Sequence, residues 1–131
     1  MYTFLDEYRE VIVPKIQEID VFLQEQDEYC AGCVAKVLSL CEDEVLELLK
    51  DAGLKAIGRQ SFMSIMQKGS SRICQLYARE VSICSPPTYN CTDIAYVYSL
   101  DLDVVENAFQ KLKIKEATVL TMPLEFANIP Y

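Results

Sequence analysis

The sequence predicts an all-α protein: a compact bundle of about six helices containing one or two helix-turn-helix-like pairs. Three observations carry this. Apolar residues recur three and four apart along most of the chain. Capping residues and glycines fall at the ends of those runs. No segment shows the sustained alternation of a half-buried strand. The chain has 131 residues, 51% of them apolar and 24% charged. That is the length of one domain, able to bury a core without help from a disulfide or a metal.

The elements follow in order. Thr3 is a plausible N-cap, with Asp6 and Glu7 in the first turn, where the helix dipole favours acids. Leu5, Tyr8, Ile12, Ile16, Ile19 and Leu23 continue at helical spacing. Pro14 cannot donate to the carbonyl of Glu10, so a break or strong kink is expected there. Asp27 is placed to cap a helix from Glu28 to Leu38, and Ser39 with Glu42 has capping-box spacing for the next. That helix runs from Glu42 to Lys50 and stops at Gly53. Residues 59–68 carry Phe62, Ile65 and Met66 on one face, and residues 71–83 carry Ile73, Leu76, Tyr77, Val81 and Ile83. The SPPTYN segment is a loop. Thr92 or Asp93 starts a helix through Tyr98, and Asp101 or Asp103 starts another reaching Lys111 or Leu112. In the tail, ATVLT reads as a short strand or a helical turn. Pro123 and Pro130 leave the rest irregular, with Leu124, Phe126, Ile129 and Tyr131 packing on the body.

Residues 1–131 are expected to form a single helical domain. The alternative is a tandem of two similar units, about 1–70 and 71–131. It rests on an echo: a shift of 60 residues aligns 33–45 with 93–105, matching Ala35/Ala95, Val37/Val97, Ser39/Ser99, Leu40/Leu100, Asp43/Asp103 and Val45/Val105.

The chain contains no histidine. Ser-His-Asp and Cys-His nucleophiles, histidine bases and histidine metal ligands are thereby excluded. No phosphate-binding glycine loop, EF-hand loop or nucleotide fingerprint occurs. The expectation is a non-enzymatic protein without cofactor, catalytic residue, metal site or small-molecule substrate. No run reaches the ~18 apolar residues of a membrane span, and no basic region precedes an apolar core at the N-terminus. A cytoplasmic protein with no membrane role is expected.

The net charge of −8 is unevenly placed. Acids dominate residues 1–51, whereas residues 52–79 hold Lys55, Arg59, Lys68, Arg72 and Arg79 and no acid. The split has three readings. Acidic and basic blocks can face each other within the fold or across a dimer, the acid-free segment can meet a nucleic-acid backbone, or the acidic N-terminal part can be a docking face for a basic partner. On the second reading Arg59, Gln60, Gln67, Lys68 and Arg72 form the nucleic-acid contact, since Arg and Gln pair with base edges while Lys and Arg hold phosphates. An ordinary amphipathic helix with a solvated basic face has the same composition.

Residues 91–112 place Ala95 where two helices must cross closely, Ser99 at the turn, and Leu100, Val105, Ala108 and Leu112 on a packing face. This resembles the helix-turn-helix motif of bacterial transcription regulators and sigma factors, with Ser99 where that motif usually has Gly. The resemblance implies DNA binding through the second helix. That helix, however, opens with Asp101, Asp103 and Glu106, which phosphates would repel. The three acids are therefore read as a protein-contact surface, and a protein partner or homodimer as what they meet.

Six cysteines include the pair Cys30 and Cys33. A single CxxC is weak evidence for zinc, even with Cys84 and Cys91 as further ligands. At a helix start it is also the spacing of a redox pair. It is similar to the CxxC of AhpD-like peroxidases, but Val37 stands where that family has a histidine. Most of the six are expected as buried free thiols. The carboxylate clusters at Glu42, Asp43, Glu44 and Glu47 and at Asp101, Asp103 and Glu106 are explained by helix dipoles and solubility.

Overall fold

A computed structural model describes residues 2–25 and 27–131. The elements are α1 (Phe4–Glu7), a π-helical stretch (Tyr8–Ile12), α2 (Val13–Glu25), α3 (Ala31–Leu38), α4 (Glu42–Asp51), α5 (Arg59–Lys68), α6 (Arg72–Ser82), α7 (Cys91–Val97), α8 (Leu102–Leu112) and α9 (Met122–Phe126). The described residues form no strand; β-pairing is limited to isolated bridges at Thr3–Pro130, Tyr29–Ile57 and Tyr89–Ala117. The fold is all-α, in more and shorter elements than the six expected.

The helix does not stop at Pro14. It passes from α1 through the π-helical stretch into α2. The missing N–H of Pro14 removes one i→i−4 bond, and the wider turn immediately before it shifts the bonding pattern without ending the helix.

The chain divides into two compact units, Lys15–Ala78 and Met1–Pro14 with Arg79–Tyr131. In Lys15–Ala78 the core gathers Val34 and Leu38 of α3, Val45 and Leu49 of α4, Phe62, Ile65 and Met66 of α5, and Ile73 and Cys74 of α6. Burying side chains of this size contributes about 2 kcal/mol each. Phe22 stacks on Tyr29, and Phe62 lies tilted against both, with ring centroids 4.8–5.9 Å apart. Helix α3 starts later than expected, because Tyr29 is spent on pairing with Ile57 (N–H to O 3.0 Å) and Cys30, not Asp27, is the N-cap. Ser39 does not cap α4. It adopts a left-handed conformation (φ 58°) that ends α3, and Cys41 becomes the N-cap. The backbone bond Leu40 N–H to Ala35 O, 2.8 Å, closes the turn.

In the second unit Phe4, Ile94, Val97, Val105, Ala108, Phe109, Phe126 and Ile129 are buried. Phe4 lies edge-on to Phe126 (4.8 Å) and to Tyr98 (5.6 Å), an arrangement favoured by the ring quadrupoles. The tail contains no strand. Ala117 pairs with Tyr89, a turn follows at Thr118–Thr121, and Pro123 enters the first turn of α9, where its missing N–H costs nothing. Phe126 and Ile129 pack inward as expected, and Tyr131, though half exposed, sets its ring edge-on against Phe4 at 5.3 Å; Leu124 stays exposed.

Geometry recurs at a spacing of 60 residues. The bridges Tyr29–Ile57 and Tyr89–Ala117 correspond. So do the N-caps Cys30 and Asn90, and Cys41 and Asp101. Ser39 and Ser99 have φ of 58° and 54°, and Gly53 and Lys113 have φ of 70° and 56°. The closing bonds Leu40 N–H to Ala35 O and Leu100 N–H to Ala95 O measure 2.8 and 2.9 Å. Met122–Phe126 of α9 stands 60 residues after Phe62–Met66 within α5.

Candidate functional sites

The acid-free segment of the sequence is not acid-free in space. Arg59, Gln60, Gln67, Lys68 and Arg72 are all exposed. Arg59 lies at the first residue of α5, and its guanidinium donates to the carbonyl of Leu23 at 3.2 Å, near the C-terminal end of α2. Arg79, in the other unit, donates from Nε to the carbonyl of Val97 at 2.9 Å, at the end of α7. Both cations thus satisfy last-turn carbonyls, a common use of arginine. Between Lys68 and Arg72, the Glu44 carboxylate accepts the Ser70 N–H (2.8 Å) and hydroxyl (2.7 Å). An acid from the first 51 residues therefore sits at the α5–α6 junction.

Asp101, Asp103 and Glu106 share the exposed side of α8, together with half-exposed Leu102, while Val105, Ala108 and Phe109 face the core. Among the described residues none of the three acids is in an ion pair. Asp101 is the N-cap, but its side chain makes no capping bond. In the same unit the Thr118–Thr121 turn lifts Val119 and Leu120 into solvent, 71% and 90% exposed.

Sequence reasoning missed a set of buried and half-buried carboxylates and phenols in the unit formed by Met1–Pro14 and Arg79–Tyr131. Tyr89 donates its hydroxyl to Glu80 Oε1 in a short hydrogen bond, while Glu80 Oε2 is buried without a partner. Burial, then the Glu80 charge, raises Tyr8. Burial, then the Glu80 hydrogen bond, raises Tyr89. Burial, then Tyr8 and Glu80, raises Tyr98. Glu7 is buried and accepts the Tyr2 hydroxyl at 3.0 Å. Glu125 is fully buried, neither carboxylate oxygen has a hydrogen-bond partner, and burial pushes its pKa up to about 7. The available signal was an acid inside the apolar run Leu124–Phe126; helix starts drew attention to other carboxylates.

Four of the six cysteines are exposed: Cys30, Cys33, Cys41 and Cys84. Only Cys74 is fully buried. The expectation of mostly buried thiols therefore fails: Cys30 and Cys41 stand at N-cap positions, at helix ends that face solvent. Cys84 and Cys91 fall in the other unit from Cys30 and Cys33. Among the described residues, no three Cys, Asp or Glu side chains are grouped to hold a metal. No described helix is long and apolar enough to cross a membrane. Cys30 Sγ accepts the Cys33 N–H at 3.3 Å.

No family model, curated protein or solved structure matches the chain.

Proposed function

We propose that this chain is a regulatory or adaptor module acting through protein contacts, built from two copies of one helical unit, with the exposed acidic start of α8 as a contact face. The observation that carries it is the set of exposed carboxylates on Asp101, Asp103 and Glu106, unpaired among the described residues, around half-exposed Leu102 on a helix whose other side is buried. Side-chain capping does not account for Asp101, which makes no cap bond. The corresponding helix α4 also opens with acids, but its Glu44 is engaged at Ser70. Such a face steers and orients a basic partner surface, and the neighbouring leucine supplies the apolar contact that holds it. Exposed Val119, Leu120 and Leu124 add apolar surface on the same unit.

The test is charge reversal at Asp101→Lys, Asp103→Lys and Glu106→Lys. Crosslinking and affinity capture should lose a partner that the unaltered chain retains, with helix content unchanged. Identical partners for both chains would sink this reading. Sedimentation of the purified chain separates a second copy from a different protein as that partner.

A second reading, nucleic-acid contact through residues 52–79, draws on exposed Gln60, Gln67 and Lys68 along α5. The use of Arg59 and Arg79 on carbonyls and the presence of Glu44 at Ser70 weigh against it. Retention on duplex DNA at low salt, lost on Lys68→Ala, would reverse the preference.

A further inference from the structure

The two corresponding helix starts differ in one chemical respect. In α7, Asn90 Oδ1 accepts the Asp93 N–H at 2.8 Å, and Asp93 Oδ2 accepts the Asn90 N–H at 3.2 Å. This is a reciprocal capping box. Sixty residues earlier the same two positions hold Cys30 and Cys33, and only one bond, Cys33 N–H to Cys30 Sγ at 3.3 Å, is made. A thiol is a weak donor and a weak acceptor. The fold itself shows that Asn and Asp serve this cap well, so capping does not explain the two sulfurs. Packing does not explain them either, because both are exposed, whereas structural free cysteines are mostly buried.

We propose that Cys30 and Cys33 form a redox-active dithiol that exchanges with external disulfides, with Cys30 as the attacking sulfur and Cys33 as the resolving one. Cys30, the N-cap, and Cys33, in the first turn of α3, are three residues apart with the Cys33 N–H on Cys30 Sγ, a spacing that a disulfide spans with little backbone movement. The Cys33 N–H and the N-terminal end of α3 both favour negative charge on Cys30 Sγ. Hydrogen bonding with Cys33 accordingly lowers the Cys30 thiol, and the same contact raises Cys33. The Glu42 carboxylate lies beside Gly32, 3.8 Å from where a Cβ there would stand, and opposes the Cys30 thiolate. Lys36, one turn on, favours the Cys33 thiolate needed for the second step.

The Cys30 thiolate attacks one sulfur of the external disulfide, forming a mixed disulfide and releasing one thiolate. Cys33 then gives up its proton and attacks Cys30 Sγ. The mixed bond breaks, a second thiolate leaves, and Cys30 and Cys33 are joined. One dithiol is oxidised, one disulfide is reduced, and two protons pass by way of solvent to the departing thiolates.

The test uses the full chain with Cys41→Ser, Cys84→Ser and Cys91→Ser, leaving buried Cys74 in place. At neutral pH, Cys30 should be alkylated roughly tenfold faster than Cys33. Glutathione disulfide should convert the pair to one intramolecular disulfide, and adding Cys33→Ser should halt the reaction at a mixed disulfide on Cys30. A disulfide-bonded protein offered to the reduced chain distinguishes a protein substrate from a small one; reduction of either supports the proposal. Cys30→Asn with Cys33→Asp, which imports the α7 cap, should keep the helix content, raise stability and abolish exchange. Equal alkylation rates, a pair left unjoined by excess glutathione disulfide, or failure of the imported cap to fold would overturn the proposal. The contact reading of α8 stands or falls separately, on its charge-reversal test.

Discussion

Replacing Glu125 by Gln should remove a specific component of the pH dependence of stability. Glu125 is fully buried on α9 with both carboxylate oxygens unpartnered, and its pKa rises from an ordinary 4.5 to about 7 because burial penalises the charged form. The folded state therefore holds this proton more tightly than the unfolded chain. Its contribution to stability is complete below the unfolded pKa and is lost as pH rises toward the folded one. A shift of that size corresponds to about 3 kcal/mol, lost progressively between roughly pH 4.5 and 7 and constant above. Glutamine mimics the protonated acid in size and charge, so the variant should lack this component. Urea unfolding followed by far-ultraviolet circular dichroism at pH 4.5, 5.5, 6.5 and 7.5 measures it. The gap between variant and parent should widen in favour of the variant by about 3 kcal/mol over that range. A carbon-detected titration of the Glu125 carboxyl should give a midpoint near 7. Parallel stability profiles, or a midpoint in the ordinary carboxylate range, would refute the reasoning.

Other substitutions test the turns and close contacts. Ser39 and Ser99 hold φ of 58° and 54°, so Ser39→Gly and Ser99→Gly should each raise stability by about 1 kcal/mol in thermal unfolding. A Cβ on Gly69 would stand 2.6 Å from Cys74 Sγ and 3.0 Å from Leu40 Cδ1. Gly69→Ala should therefore destabilise by about 1–3 kcal/mol, and adding Cys74→Ala should recover part of the loss. Asn90→Ala breaks the capping box of α7 and should cost about 1 kcal/mol in urea unfolding.

Helices were legible wherever apolar spacing and a punctuating residue agreed. Residues 59–68 and the α8 span are the clearest cases, observed as Arg59–Lys68 and Leu102–Leu112. Boundaries failed where one residue type serves two roles. Ser39 has capping-box spacing to Glu42, yet it is the left-handed residue that ends α3. Pro14 predicts a break or strong kink, and the break does not occur because a π-helical stretch carries the helix into α2. The echo in residues 33–45 and 93–105 was visible because its matches are identical residues. The wider recurrence was not, because Gly53 and Lys113 can both take a left-handed turn, and Ile57 and Ala117 can both fill a bridge position.

Composition and periodicity alone determined that the protein is helical, that histidine chemistry is absent, and which helix starts are acidic. These are local properties, carried by residues a few positions apart. Which charges are spent inside the fold was decided only in three dimensions. Glu44 reaches Ser70 and Arg59 reaches Leu23 across long sequence separations, and no local pattern encodes such a meeting. The burial of Glu125 belongs to the same class: a carboxyl's protonation depends on how much water the surrounding helices exclude, and only packing sets that.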